Sequence, residues 1–310
     1  MAQIYVILDK CTGCGECVTA CPFQCINLSD NKAVISDDCR LCGICVGVCP
    51  TNAIEMKTKK VTVDLSAYKG VLVFGEQIQG TLSPVVYELI GKGKELADKL
   101  GETLECVVIG NNMQNQVDEL ANHAVDKIYL VDDPSLAQFR DDPYTEVLTQ
   151  LVQDVRPSIF LIGATSIGRS LAPRVATKLG TGLTADCTGL DIDSDGNLLQ
   201  TRPAFGGNVM ATIICPNHRP QMATVRYKVM KRADPAPQYE SQILLKPLSS
   251  PLLDRTRVTK VSTETGEMSI AEAEIIVSGG KGLGTPDGFK LLKELADALG
   301  GAIGKSTCRR

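Results

Sequence analysis

The segment Cys11–Pro22 reads CTGCGECVTACP, and Cys39–Pro50 reads CRLCGICVGVCP. Both have the form C-x-x-C-x-x-C-x-x-x-C-P. Of the 13 cysteines in the 310 residues, nine lie between Cys11 and Cys49. The opening MAQIYVILDK has no basic stretch and no apolar core of signal-peptide length. No apolar run approaches the length of a membrane span. The chain is therefore expected to be cytoplasmic. Clustered thiols in a reducing compartment point to metal rather than disulfides.

The repeated run matches the spacing of bacterial two-cluster ferredoxins. Three thiolates at three-residue steps can take three corners of a small cube, and the fourth corner needs a ligand from elsewhere. The proline after the fourth cysteine turns the chain away, because it cannot continue a helix interior. In the two-cluster arrangement the fourth cysteine serves the other cluster. That assigns Cys11, Cys14, Cys17 and Cys49 to one 4Fe–4S cluster and Cys21, Cys39, Cys42 and Cys45 to a second. Gly13, Gly15 and Gly43 let the backbone turn tightly there. A zinc site or a disulfide knot is the alternative, but structural zinc takes four ligands in two separated pairs, which this spacing fits badly. Cys25 has no counterpart in the second run and reads as a packed thiol. Residues 1–60 thus form an α+β ferredoxin domain with strands around IYVILD, KAVIS and AIEM. Such a domain moves single electrons and holds no substrate.

From residue 61 to 255 apolar runs alternate with helical stretches. GVLVFGE, LECVVIGNN, KIYLVDD and SIFLIGAT read as strands. SPVVYELIGKGKELADKLG, opened by Ser83 and Pro84 and closed by Gly101, reads as a helix. Continuous apolar strands between amphipathic helices indicate a parallel, nucleotide-binding-like sheet with helices on both faces. After Thr184 the strands crowd together (LTADCTGLDID, LLQTRPA, NVMATIIC, QMATVRY), which predicts an antiparallel addition to that sheet. The proline-bearing stretch from Lys231 to Arg257 reads as an excursion ending at a domain boundary near Arg255. Residues 256–310 then give a strand, a glycine turn and a helix, the start of a Rossmann-like unit. The Gly304–Ser306 triplet imitates the end of a P-loop, but Leu299 stands where that motif needs glycine.

Three long segments carry a family resemblance. They are GATSIGRSLAPRVATKLGTGLTADCTGLDID, TRPAFGGNVMATIICPNHRPQMATVR and VSGGKGLGTPDGFKLLKELADALGGAIG. In this order they resemble the alpha subunit of electron transfer flavoprotein, from roughly Gly70 to Gly304. With a ferredoxin domain in front, the chain is similar to the alpha subunits of anaerobic electron-bifurcating complexes. The resemblance implies FAD in the C-terminal domain and a beta-subunit partner. It also implies exchange with ferredoxin and with an acyl-CoA dehydrogenase or reductase of the caffeyl-CoA type, or with a lactate dehydrogenase. Lys281, Gly282 and Ser306 are the flavin contacts it implies. The family continues for about a hundred residues past GGAIG, and Thr307 breaks its pattern. The expectation is therefore a truncated FAD-binding domain with an incomplete flavin site.

The net charge of −4 and an aromatic content of 4% argue against nucleic-acid binding. Cys106, Cys187 and Cys215 sit in apolar strands and read as core. Arg202 and Arg226 read either as interface residues or as surface ion pairs. His123 and His218 are the only histidines, and no acid–base pair forms around them. Function is therefore expected to be electron relay, with bond-making left to partners. A self-contained ferredoxin-dependent reductase would need acid–base groups that the sequence lacks. A flavin-free scaffold subunit is the other alternative.

Overall fold

The computed structural model describes residues 2–58, 64–248, 252, 254–262, 270 and 273–305. Two compact units result, Met1–Arg255 and Thr256–Arg310.

The cysteine-rich segment folds as two halves of like design. Strand β1 (Ala2–Val6) pairs antiparallel with β4 (Ile54–Thr58), and β2 (Ile26–Ser29) with β3 (Lys32–Ile35). Helices α1 (Glu16–Ala20) and α2 (Ile44–Val48) lie between them in sequence. Each begins at a glycine in the left-handed region, Gly15 at φ 80° and Gly43 at φ 77°, and each ends at the fourth cysteine of its run. The buried core here is small: Ile4, Ile26, Ala33 and Ile54 with the thiols of Cys17 and Cys45.

Beyond it, seven strands among the described residues form one sheet. They are β5 (Val71–Gly75), β8 (Leu104–Gly110), β9 (Lys127–Asp132), β10 (Ile159–Gly163), β11 (Leu183–Cys187), β15 (Gln221–Val225) and β16 (Gln242–Leu245). Their order is β11-β15-β10-β5-β8-β9-β16, and all neighbours are parallel. A two-stranded turn, β6 (Gln77–Ile78) with β7 (Thr81–Leu82), leads into helix α3 (Pro84–Leu100). Then follow α4 (Gln114–Leu120), α5 (Asp141–Val155) and α6 (Ser166–Leu179). Both sheet faces are buried, as parallel sheets require. Val71 and Val73 of β5 point to the core that also holds Leu89 and Leu96 of α3. Leu72 and Phe74 point to the core with Tyr144 and Leu148 of α5.

The antiparallel strands form their own sheet rather than extending the main one. It consists of β12 (Gly189–Ile192), β13 (Leu198–Ala204) and β14 (Val209–Ile213). The flanking runs, LTADC and QMATV, are instead parallel members of the main sheet. The excursion after Lys231 also carries a strand that the sequence reading does not give: β16 crosses to the far edge and pairs with β9. Arg255 then donates twice to Asp142, at 2.8 Å each.

Strands β5 and β10 are neighbours whose following helices, α3 and α6, lie on opposite faces. In such sheets a nucleotide enters at the carboxyl ends of this strand pair. Here the crevice is filled by protein. Glu76 is 1% exposed and accepts from the hydroxyls of Thr165 (2.5 Å) and Ser83 (3.1 Å). Thr165 caps α6, and Ser83 precedes α3. A Cβ on Gly168 would sit 1.8 Å from the Gly163 carbonyl oxygen, so helix and strand touch.

In the second unit β17 (Ile276–Gly279) and β18 (Ala302–Lys305) are parallel and joined by α7 (Gly288–Leu299). Gly304 and Lys305 lie in β18 rather than in a phosphate loop.

Burial raises the Glu76 pKa above the ordinary 4.5, against the two hydroxyls that lower it. The folded state therefore binds this proton more tightly than the unfolded chain does. Its stabilisation is complete below about pH 4.5 and is lost as the pH climbs through the raised value. Glu76→Gln should gain stability relative to the parent as the pH rises from 4 to 7, measured by urea unfolding at each pH. A constant difference would show that this carboxyl does not titrate abnormally.

Candidate metal centres and flavin turn

The repeat places its thiols in two pockets. Cys11, Cys14, Cys17 and Cys49 line one. Cys21, Cys39, Cys42 and Cys45 line the other, with Cys25 beside them. The fourth cysteine of each run thus faces the first three of the other run. The helices explain the crossing. Cys17 and Cys45 sit in the first turns of α1 and α2 and are buried, while Cys21 and Cys49 cap the opposite ends. Cys14 and Cys42 are exposed, one at the mouth of each pocket.

Backbone donors point at the sulfurs. The Ala53 N–H donates to Cys49 Sγ (3.2 Å), Cys25 N–H to Cys21 Sγ (3.4 Å) and Ala33 N–H to Cys11 Sγ (3.4 Å). Such bonds favour thiolate. Hydrogen bonds, the Cys25 N–H first, lower the Cys21 pKa. At Cys49 burial raises it, but the Thr51 hydroxyl and the N–H groups of Ala53, Thr51 and Ile54 outweigh burial. Burial dominates at Cys17 and Cys45 and pushes both up.

The twelve cysteines among the described residues are free thiols. Among those residues no three His, Cys, Asp or Glu side chains converge closely enough for a single metal ion. Two pockets of four spread thiols suit the larger cubane, whose ligands sit at its outer corners. The donor set, its spread and the N–H groups aimed at sulfur fit 4Fe–4S clusters.

The other singled-out thiols divide. Cys25 is buried and donates to the carbonyls of Phe23 and Asp38 at 3.3 and 3.4 Å. Cys106 and Cys187 are fully buried, and burial raises Cys187 to about 12. Cys215 is not core: it lies past the end of β14, half-buried. Arg226 pairs with Asp186 through Nη2 at 2.6 Å and Nε at 3.2 Å. Arg202 is half-buried, and its Nε has no hydrogen-bond partner among the described residues. His123 packs against Tyr87, tilted 57° to its ring, at 4.8 Å between ring centres.

In the second unit, Lys281 and Gly282 belong to a single turn, Lys281–Leu283, between β17 and α7. Lys281 is exposed. Among the described residues, nothing beyond the chain neighbours of Gly282 and Gly284 lies within 4 Å of where a Cβ on them would be. The turn is open on its outer side, as close approach of a dinucleotide requires. Ser306 lies outside the described residues.

Two four-thiol pockets, joined in sequence to a parallel α/β sheet and a glycine-turn unit, define an iron–sulfur electron carrier. Comparison with known proteins narrows the class. Residues 2–56 match the 4Fe-4S dicluster domain, 71–245 the Electron transfer flavoprotein domain, and 269–309 the Electron transfer flavoprotein FAD-binding domain. The electron transfer flavoprotein subunit alpha of Thermoanaerobacterium thermosaccharolyticum is 47% identical over 244 residues, 78% of this chain and 74% of that protein. That of Clostridium acetobutylicum is 47% identical over 246 residues, 77% of this chain and 73% of that protein. The lactate dehydrogenase (NAD(+),ferredoxin) subunit LctC of Acetobacterium woodii is 39% identical over 246 residues, 79% of this chain and 59% of that protein. The chain belongs to the electron transfer flavoprotein alpha-subunit family, with iron–sulfur clusters and FAD as its cofactors. No helix among the described residues is long and apolar enough to cross a membrane.

Glycine positions give a local test of the first pocket. Gly13 has φ 71°, and a Cβ there would meet the Asn31 backbone oxygen at 2.3 Å. Gly47, inside α2, has nothing within 4 Å. Gly13→Ala should lose roughly half of the protein's about eight irons, the content of two clusters. Gly47→Ala should keep them all, as measured by iron per chain after anaerobic purification.

Proposed function

We propose that this chain is the electron-relay subunit of a bifurcating electron transfer flavoprotein. In this reading it passes electrons between an NADH-oxidising beta subunit, ferredoxin and a flavin-dependent dehydrogenase. Cys11, Cys14, Cys17 and Cys49 hold one 4Fe–4S cluster, and Cys21, Cys39, Cys42 and Cys45 the other. Lys281, Gly282 and Ser306 contact FAD. When bound, the clusters supply one-electron carriage, and the flavin links it to two-electron chemistry.

The observation that carries the reading is the crossed grouping of eight thiols into two pockets, on a chain of this family. A domain for carrying single electrons has a purpose where a hydride's two electrons must part. The residues around the pockets bind, orient and exclude water. Cys17 and Cys45 are buried at the back, and Leu28 and Ala33 complete the apolar wall of the first pocket. The beta subunit has a surface to cover: the β13–β14 arm exposes Phe205 (85%), Val209 (52%) and Met210 (55%). Exposed apolar groups clustered in this way mark contact surfaces.

Two dehydrogenase partners suit the reading. One is an acyl-CoA enzyme acting on an enoyl-CoA of the caffeyl-CoA kind. The other is a lactate dehydrogenase, which the similarity to LctC favours.

The test is NADH-driven ferredoxin reduction by the anaerobically purified complex with its beta subunit, supplied with each dehydrogenase and its substrate in turn. Cys14→Ser should abolish ferredoxin reduction, and an unchanged rate would sink the relay role. Ligand grouping is read from electron paramagnetic resonance. Cys49→Ser should leave the same residual signal as Cys14→Ser, and Cys21→Ser the same as Cys42→Ser. Residual signals that group by run, Cys49 with Cys42, would overturn the crossing. One FAD per alpha–beta pair, in place of two, would favour the flavin-free scaffold.

A further inference from the structure

The two halves of the cluster domain repeat each other in backbone but not in side chain. Past the fourth cysteine each half makes the same turn: Gln24 has φ 53° and Asn52 has φ 50°. In each half the N–H four residues past that cysteine donates back to its sulfur, Cys25 to Cys21 and Ala53 to Cys49. The position between differs. In one half it is Phe23, which lines the pocket and is 52% exposed; its N–H bonds to Cys21, as does the Cys25 thiol, but its side chain has nothing to donate. In the other it is Thr51, whose Oγ1 lies 3.6 Å from Cys49 Sγ. A cluster-bound sulfur carries no proton, so there the hydroxyl is the donor and the sulfur the acceptor.

A second difference points the same way. Lys32 sends its ammonium to the carbonyls of Leu8 (2.9 Å) and Cys11 (2.5 Å), fixing a positive charge on the Cys11 segment. Arg40 lines the other pocket, but it is exposed, and water and salt screen its charge. Hydrogen bonds to cluster sulfurs and nearby positive charge stabilise the reduced, more negative state and raise its potential.

Resting on the ligand assignment above, we infer that the two clusters are inequivalent. The one held by Cys11, Cys14, Cys17 and Cys49 has the higher potential, and Thr51 is the positioning residue that widens the gap. An electron entering the domain then settles on that cluster, and the Phe23 side serves as the more strongly reducing station.

The experiment is a potentiometric titration of the full chain with both clusters present, followed by electron paramagnetic resonance, with iron measured on each sample. The parent should give two separated reduction waves. Thr51→Val should move only the higher wave, to lower potential, and Thr51→Ser should leave it in place. Phe23→Thr grafts the donor onto the other half and should move the lower wave up, so the proposal stays testable even where the valine variant fails to take up iron. A single common wave in the parent, a valine variant that shifts nothing, or one that moves the lower wave would overturn it. A parent chain that takes up no iron would instead overturn the reading of the cysteines themselves.

Discussion

Eight thiols have to be brought around two centres by a segment whose apolar core is four aliphatic side chains, Ile4, Ile26, Ala33 and Ile54. A core of that size contributes little, and small domains of this kind depend on a crosslink or a metal. Metal–thiolate bonds then become part of the folding free energy. The geometry follows from this dependence. Helices α1 and α2 are each five residues long, too short to be stable alone. They exist because each carries a buried thiol near one end and a capping thiol at the other. The left-handed glycines that open them place the preceding thiol at the pocket mouth.

The α/β domain is held by a different force, and its role differs accordingly. Its sheet buries apolar side chains on both faces, and the domain holds the largest fully buried side chains among the described residues, among them Tyr144 of α5 and Phe74 and Phe160 of the sheet. The crevice that a sheet of this order offers to a nucleotide is occupied by the Glu76 carboxylate, held by two hydroxyls at the starts of α3 and α6. The domain therefore reads as a frame rather than a nucleotide site.

The parts that were legible in the sequence are those fixed by short spacing. Cysteines three and four residues apart give the pockets, and Ser83, Pro84 and Gly101 mark the ends of α3. Alternation of apolar runs and helices gives the parallel sheet, since each βα step is local. What the sequence hid depends on long-range pairing. QILL in β16 is four residues after a proline-rich stretch, and only the free edge of β9 makes it a strand. LTADC and QMATV look like neighbours of the hairpin strands, yet their partners are β15 and β10. Glu76 carries no sequence signal, because Thr165 reaches it from the other side of the sheet. Cys215 follows an apolar run but ends up past β14, where the hairpin no longer shields it. Lys281 and Gly282 were visible as a glycine turn, a pattern too short to specify a ligand.

Duplication explains why the cluster domain can be both symmetric and directional. Two copies of one backbone solve the ligation problem once, since turn, cap and N–H donors recur in each half. Side chains that neither ligate nor fill the core are then free to diverge without loss of either cluster. Thr51 and Phe23 occupy such a position: neither is a ligand, and both follow the proline that ends a run. A hydroxyl against sulfur on one side and an apolar ring beside the pocket on the other leave the backbone alone, and on the inference above they change the charge that each site tolerates. On that inference, a difference in potential gives an electron entering the domain a preferred place to rest.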